Sequence, residues 1–278
     1  MWNDSSGNAS KAKFKRASCQ ENETFYLYQQ SQKKLVFDRN EEPLLSLRYK
    51  DRNIRVLDDR LTAVGYKGWA SVFSSHCARK GKWYYEVRIL DGCDTINFIG
   101  SDGEITIPVQ GHVRQVRHTL VGFACRYQKF QVPIGYNNFG YALSDVDGTV
   151  VNDGSKSPYA KPFGPGDVIG CYLSLGEPSG VIQDPRKDLK LLEHLQAGIL
   201  CDPRDPPAME LNAGSYVGFS INGEKFGECG LKVWDGYYHP AAALYMGATV
   251  KFNFGPDFDF PPPDDFSPCR KMMLPEVL

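Results

Sequence analysis

The chain has 278 residues, of which 42% are hydrophobic and 23% are charged, and its net charge is −1. This balance is ordinary for a globular protein, and it provides no overall field that would attract nucleic acid or an anionic membrane. No apolar run approaches the ~20 residues that a membrane-spanning helix needs. The first residues also lack the basic and apolar regions of a secretion signal. We therefore expect an intracellular protein with no membrane contact.

Taken in chain order, residues 1–23 are polar and rich in Ser, Asn and Lys, which predicts a disordered tail. From residue 24 onwards, short aromatic and β-branched segments alternate with Gly, Asn and Asp turn residues, as is typical of strands joined by tight turns. The pattern is clearest in residues 81–89, 166–175 and 218–256. We predict an all-β fold, an antiparallel β-sandwich with at most one short helix, over residues 24–262. An irregular tail is expected at 263–278.

Two stretches interrupt this alternation. Residues 91–117 contain several glycines and little periodicity, so we expect a long inserted loop that can hold a hairpin. Residues 176–214 are rich in Pro and Asp, and the leucines between 189 and 195 are spaced for a short helix. Loops of this length in a compact domain commonly serve binding, so both inserts are expected to decorate the sandwich.

The sequence contains no motif that predicts catalysis or a resident metal. Residues 218–223 have the spacing GxSxxG, which differs from that of a nucleophile elbow, and Asn222-Gly223 favours a hairpin turn. Residues 145–148 begin like a calcium loop but lack its later Gly and Glu, so we expect a turn between two strands. His112 and His118 belong to the first insert and are expected to be solvated. We predict no enzyme, no catalytic residue, no cofactor and no metal.

The eight cysteines lie at least sixteen positions apart. No CxxC pair is therefore available for zinc or redox chemistry. An even number is compatible with disulfides, but a chain that is not secreted keeps its thiols reduced. We expect buried, unreactive thiols.

Four segments of the chain together carry a family resemblance. They are RLTAVGYKGW at 60–69, ARKGKWYYEV at 78–87, VPIGYNNFGY at 132–141 with DVDG at 145–148, and YYHPAAALY at 237–245 with FNFGPDF at 252–258. In this order they resemble the SPRY domain (B30.2-like) of the trithorax-group Ash-two proteins. The resemblance covers roughly residues 57–262, and the Pro-x-Gly-Tyr segment before the hairpin separates this family from other SPRY domains.

The resemblance implies a non-catalytic scaffold and activator subunit of a nuclear SET-domain complex that methylates lysine 4 of histone H3. In that family the SPRY domain binds a short acidic and aromatic segment of a WD-repeat subunit. The pair then holds the SET domain in its active conformation, which is a population shift. Contact with the nucleosome is expected only through the complex. The family also binds a small dumpy-thirty-type dimer on a C-terminal helix, but Pro275 argues against a helix in residues 272–278.

Carried over by motif, the pocket for the partner segment includes Trp69, Pro133 and Tyr136. Rigid rings on a sandwich rim suit this role, although both aromatic side chains could instead pack within the sandwich. The family places two arginines in this pocket, and Leu120 and Ser144 stand at those positions here. The nearby basic residues that could replace them are Arg126, Arg117 and Lys129. We expect a pocket that is more apolar than the family pattern and less dependent on paired charges.

A SPRY adaptor of another type is the alternative function, either a substrate receptor of a ubiquitin ligase or a Ran-binding-type module. The sequence contains no cullin-box or RING segment, which favours the methyltransferase complex. Proteins that co-purify with the chain would separate the two functions.

Overall fold

The computed structural model describes residues 41–92, 95–100, 103–108, 117–178 and 210–274, with the backbone alone described for 95–100 and 103–108. The expected tail at 1–23, the expected helix at 189–195 and the position of His112 lie outside these ranges. Within them, no helix is both long enough and apolar enough to cross a bilayer.

The described part of the chain consists of short strands and one short 3-10 helix at Cys269–Lys271. The strands are β1 (Leu45–Lys50), β2 (Ile54–Val56), β3 (Thr62–Gly65), β4 (Ala70–Ser74), β5 (Gly81–Leu90), β6 (Thr95–Gly100), β7 (Gly103–Pro108), β8 (His118–Cys125), β9 (Gly140–Ser144), β10 (Thr149–Asn152), β11 (Ser155–Pro158), β12 (Val168–Leu175), β13 (Tyr216–Ile221), β14 (Glu224–Glu228), β15 (Tyr238–Tyr245), β16 (Thr249–Asn253) and β17 (Ser267–Pro268).

Two antiparallel sheets account for most of the described strands. Sheet A has the order β1-β4-β15-β8-β9-β10-β11, and sheet B has the order β14-β13-β12-β5-β16-β3-β2, with β17 added in parallel along β5. The first insert contributes a separate hairpin, β6–β7. The predicted fold class, an all-β antiparallel sandwich, is confirmed.

The core lies between the two sheets because alternate residues of each strand point inward. Tyr85 of β5 reaches across it, donating its hydroxyl proton to the Gly122 carbonyl of β8 and stacking edge-on against Phe123 with 5.1 Å between ring centroids. The inward side chains of β8 are Val121, Phe123 and Cys125, all fully buried. The two sheets are therefore tied together through a single interior made of aromatic and β-branched side chains.

Part of the outer face of sheet A is also covered, because the loop at 126–139 (the covering loop) lies across it. Phe130 packs on Phe73 with 4.9 Å between ring centroids, and the Ser71 amide donates to the Phe130 carbonyl at 2.7 Å. At the other end of the loop, a Cβ on Gly140 would approach the Gly135 nitrogen to 2.9 Å. Small outward residues on β8 and β9 thus make room for the covering loop.

Gly122 is the tightest of these positions. A Cβ there would lie 1.9 Å from the Tyr141 carbonyl oxygen of β9. We expect Gly122→Ala to lower the free energy of unfolding by about 1–3 kcal/mol, because β8 and β9 must separate to admit the methyl group. Urea denaturation measures this. In the control, Gly164→Ala, the new methyl group would meet no atom within 4 Å and should leave stability unchanged; an equal loss in both variants would contradict the packing account.

Residues 263–274 differ from the expected irregular tail. β16 pairs with β5 as far as Glu86. Beyond that point β17 takes its place beside β5, where Ser267 lies opposite Trp83 and Pro268 lies opposite Tyr84. Cys269 and Met272, just beyond β17, are buried in the core. The segment therefore belongs to sheet B and to the core. Its short, proline-containing sequence has no strand pattern that could have predicted this pairing.

The cysteines in the described ranges are free thiols, as expected. Cys77, Cys125, Cys171 and Cys269 are buried. Cys229 is half-buried, and burial raises the pKa of its thiol to about 12. Burial also raises the pKa of the Cys125, Cys171 and Cys269 thiols. Because the thiolate is the nucleophile, these three groups and Cys229 are unreactive near neutral pH.

Candidate partner-binding groove

The two positions that lack the family's arginines are neighbours in sheet A. Leu120 of β8 lies opposite Ser144 of β9 on one side and opposite Ala243 of β15 on the other, and Ala243 lies opposite Ser71 of β4. All four side chains point away from the core, because their chain neighbours point inward and strand side chains alternate between faces. These inward neighbours are Val121, Leu143, Ala242 and Val72. They form one row across the outer face of sheet A, which we call the floor of the groove.

One wall of the groove is aromatic. Trp69, His118 and Tyr245 each lie two residues from a floor residue along the chain and therefore share its side of the sheet. His118 and Tyr245 are also cross-strand partners. The Trp69 ring centroid is 5.4 Å from that of Tyr245 and 6.4 Å from that of His118, and the His118 and Tyr245 centroids are 6.0 Å apart. The three half-buried rings form a continuous surface.

The opposite wall is the part of the covering loop at 132–136. The Ser71 hydroxyl donates to the Val132 carbonyl at 2.8 Å, which fixes the loop beside the floor. The Tyr136 amide donates to the Pro133 carbonyl at 3.1 Å, and the Gly154 amide donates to the Gly135 carbonyl at 2.9 Å. This turn leaves the Tyr136 side chain 62% exposed.

The groove therefore brings together five of the six residues expected to bind the partner. Trp69 lies in one wall, Pro133 and Tyr136 lie in the other, and Leu120 and Ser144 lie in the floor. The floor pair is only 5% and 3% exposed, so the walls provide most of the surface that a ligand would touch.

Arg126, the sixth expected residue, does not lie beside the floor pair. It follows Leu120 by six positions at the far end of β8, which corresponds to roughly 20 Å of extended chain. Its guanidinium carbon lies 5.0 Å from the centroid of the Tyr127 ring. Arg117 points to the other side of the strand, where it lines a cleft with Thr119, and Lys129 is exposed in the covering loop.

His118 is a functional candidate that we did not identify from the sequence, because we assigned it to the solvated insert. It begins β8 instead. Asp145, directly after Ser144, places its Oδ2 atom 3.8 Å from the His118 Nδ1 atom. The Asp145 side chain is 14% exposed, and its Oδ1 atom is buried with no hydrogen-bond partner among the described residues. Burial raises the pKa of this carboxyl to about 6, against the opposing effect of His118.

The Asp145 carboxyl should make stability depend on pH. Its pKa is raised from 3.8 to about 6 in the folded state, so the folded state binds this proton more tightly. The resulting destabilisation grows as the pH rises from about 4 to about 6 and is fully present above pH 6. We expect Asp145→Asn to raise the free energy of unfolding at pH 7 on the order of 1–3 kcal/mol and to lose part of that advantage at pH 5. Denaturant unfolding at both pH values measures the difference; a difference that is independent of pH would contradict the assignment.

The DVDG segment forms the turn between β9 and β10, as expected. Asp147 accepts hydrogen bonds from the Thr149 amide at 3.2 Å and from the Thr149 hydroxyl at 2.7 Å. In the described ranges, no group of three or more His, Cys, Asp or Glu side chains is arranged to hold a metal ion.

Comparison with known proteins identifies relatives of this chain. Residues 82–179 match the family described as SPRY domain. Over 225 residues the chain is 27% identical to the Set1/Ash2 histone methyltransferase complex subunit ASH2 of Drosophila melanogaster. The aligned region covers 78% of this chain and 36% of that protein. The subunit ash-2 of the corresponding complex in Caenorhabditis elegans is 24% identical, with 78% and 37% covered.

A shorter match has higher identity. The COMPASS component cclA of Emericella nidulans is 35% identical over 122 residues, which cover 42% of this chain and 19% of that protein. The chain thus spans little more than a third of the length of the first two relatives. The SPRY domain of human HERC1 aligns with a TM-score of 0.45 at 13% identity, covering 75% of this chain and 96% of that chain.

Proposed function

We propose that this chain, which contains a SPRY domain and is related to the Ash2 subunits of Set1-type complexes, is a non-catalytic subunit of a nuclear histone methyltransferase complex. We further propose that the groove on sheet A binds an acidic and aromatic segment of a WD-repeat subunit, and that the pair docks on a SET-domain methyltransferase. One observation carries the second proposal. Five residues drawn from four separate segments of the sequence converge on a single groove.

The chemistry of the groove suits peptide recognition. Its walls expose rings of Trp69, Tyr245 and Tyr136, which provide large contact areas and lose little conformational entropy on binding. Its floor has Leu120 and Ser144 in place of two guanidinium groups, and both side chains are nearly buried. A ligand would therefore gain affinity mainly by burying apolar and aromatic surface, with a smaller share from fixed charge pairs than in the family pattern.

A subunit of this kind can activate a SET-domain methyltransferase by binding alone, without contributing a catalytic group. A subunit that binds the competent conformation of a SET domain more tightly than the idle one raises the population of the competent conformation by the ratio of the two affinities. A rigid sandwich with a preformed groove suits this task, because it loses little conformational freedom when the partner docks.

The expected dumpy-thirty-type dimer would need a C-terminal helix. Up to Leu274 the described residues contain no α-helix at this end, and Met273 pairs with Cys77 in an isolated bridge. These residues belong to the sandwich, so the proposal for the described part of the chain is restricted to the WD-repeat and SET-domain partners.

The proposal is tested by purifying the tagged chain from its native source and identifying what accompanies it. We expect a SET-domain methyltransferase and a WD-repeat subunit, and we expect the Trp69→Ala variant to lose both. Recovery of cullin or RING components in their place would overturn the proposal and support the ubiquitin-ligase adaptor.

A further inference from the structure

His118 occupies the part of the groove where the family pattern would place positive charge. It precedes the floor residue Leu120 by two positions on β8 and points to the same side of sheet A. Asp145 immediately follows the other floor residue, Ser144. The two floor positions that lack arginine are therefore flanked by a histidine and a carboxylate that face each other.

The His118 imidazole lies beside two aromatic rings and a carboxylate. The imidazole is nearly parallel to the rings of Trp69 and Tyr245, with interplanar angles of 23° to each. The faces of aromatic rings attract cations, and the Asp145 Oδ2 atom lies 3.8 Å from Nδ1. The side chain remains 31% exposed, so a ligand in the groove can reach it.

Asp145 lies between the groove and a cleft of about 510 Å³ at the end of the sandwich. Its Oδ1 atom has no hydrogen-bond partner among the described residues, and burial raises its pKa to about 6. The other charged or titratable groups on the elements around the pair are Lys67, Asp91, Arg117, Asp147, Lys156, Lys161, Asp167 and Tyr245. The variants below leave all of these groups in place, so their effects isolate the pair.

We propose that His118 is the residue of the groove that recognises acidic side chains of the ligand, and that Asp145 controls the charge with which it does so. This inference rests on the proposed function, in which the groove binds an acidic segment. The pair has a net charge of −1 when the imidazole is neutral and the carboxyl is ionised. The net charge becomes zero when the imidazole is protonated and +1 when both groups are protonated.

The sign of the pH effect follows from these charges. As the pH falls from 7.5 to 5.5, each protonation makes the pair more positive, whichever group titrates first. The carboxylates of an exposed acidic peptide keep their charge in this range. Affinity for an acidic ligand should therefore increase throughout the range, and the gain should diminish at high salt because exposed charge interactions are screened.

The test is titration calorimetry of the full chain with a synthetic peptide. The peptide is the acidic segment of the WD-repeat subunit recovered by co-purification, and a matched peptide carries Gln at each Glu and Asn at each Asp. We expect the acidic peptide to bind on the order of tenfold more tightly at pH 5.5 than at pH 7.5, and the neutral peptide to bind equally at both. If the acidic peptide binds with the same affinity at both pH values, the inference fails while the proposed function stands. If neither peptide binds, both fail.

Two variants separate the roles of the pair. His118→Gln removes the cation and should lose most of the gain at pH 5.5, whereas Asp145→Asn removes the opposing charge and should bind the acidic peptide more tightly than the native chain at pH 7.5. A full pH-dependent gain in His118→Gln would place the charge elsewhere and overturn the inference.

A ligand-free measurement provides an independent readout. In an NMR titration of the free chain, we expect the Asp145 carboxyl signal to titrate at about pH 6, because burial raises the pKa of this group. A titration midpoint at the ordinary value of an aspartate would overturn the role of Asp145.

Discussion

Replacing Glu86 with alanine is expected to lower the free energy of unfolding by about 3–5 kcal/mol. Glu86 lies in β5 and is 1% exposed. Its carboxylate accepts hydrogen bonds from the backbone amides of Asp259 at 2.9 Å and Phe260 at 2.7 Å, and from the Asn253 amide group at 3.3 Å. Removing the carboxylate leaves the Asp259 and Phe260 amides without this acceptor, whereas the Asn253 amide group keeps the Asp257 carbonyl at 2.7 Å. A donor that loses the acceptor it has inside the fold carries a cost of desolvation, which is larger when the lost acceptor is charged. The segment after β16 should detach from sheet B.

Urea denaturation of the purified chain measures the effect. Glu86→Gln keeps one acceptor oxygen and the side-chain volume, so we expect an intermediate loss. Glu228→Ala is the matched control, because Glu228 is an exposed residue of β14 at the edge of the same sheet. A loss below about 1 kcal/mol in Glu86→Ala would show that water replaces the carboxylate, since bridging water can substitute for a direct hydrogen bond.

The fold class follows from local sequence because each strand carries its own signal. In β16, Phe252 and Phe254 point into the core while Asn253 between them reaches Glu86 on the opposite face, and this alternation is visible in the sequence. β17 had no such signal, since Ser267 and Pro268 contain neither alternation nor a β-branched residue. β17 pairs with the part of β5 that β16 does not cover. That unpaired part exists only once the sheet has assembled, so the local sequence does not show it.

The candidate groove could be predicted only in part. The resemblance identified Leu120 and Ser144 as pocket positions, but their contact across β8 and β9 depends on a register that joins residues twenty-four positions apart. His118 was missed because the glycine-rich insert before it has no periodicity to mark where β8 begins. One signal was available: a residue two positions before a pocket residue on the same strand must share its face.

Removing one ring from each wall of the groove is expected to abolish tight binding of the WD-repeat segment. Truncation of an interface anchor commonly costs about 1–3 kcal/mol. Trp69 and Tyr136 lie in opposite walls and do not share partners among the ring contacts described above, so their costs should approximately add. We expect Trp69→Ala with Tyr136→Ala to weaken binding by about 2–6 kcal/mol, which is roughly 30-fold to more than ten-thousand-fold.

Titration calorimetry with the WD-repeat peptide at pH 7.5 measures this effect, and circular dichroism of the double variant checks that the sandwich is intact. Leu211→Ala provides the control. Leu211 is an exposed apolar residue, 49% accessible, and it pairs with Trp234, away from the outer face of sheet A that carries the groove. Because it lies outside both walls, its loss should leave affinity unchanged. If the folded double variant binds as tightly as the native chain, the peptide occupies another surface of the sandwich, and the convergence of motif residues on this groove reflects packing instead of recognition.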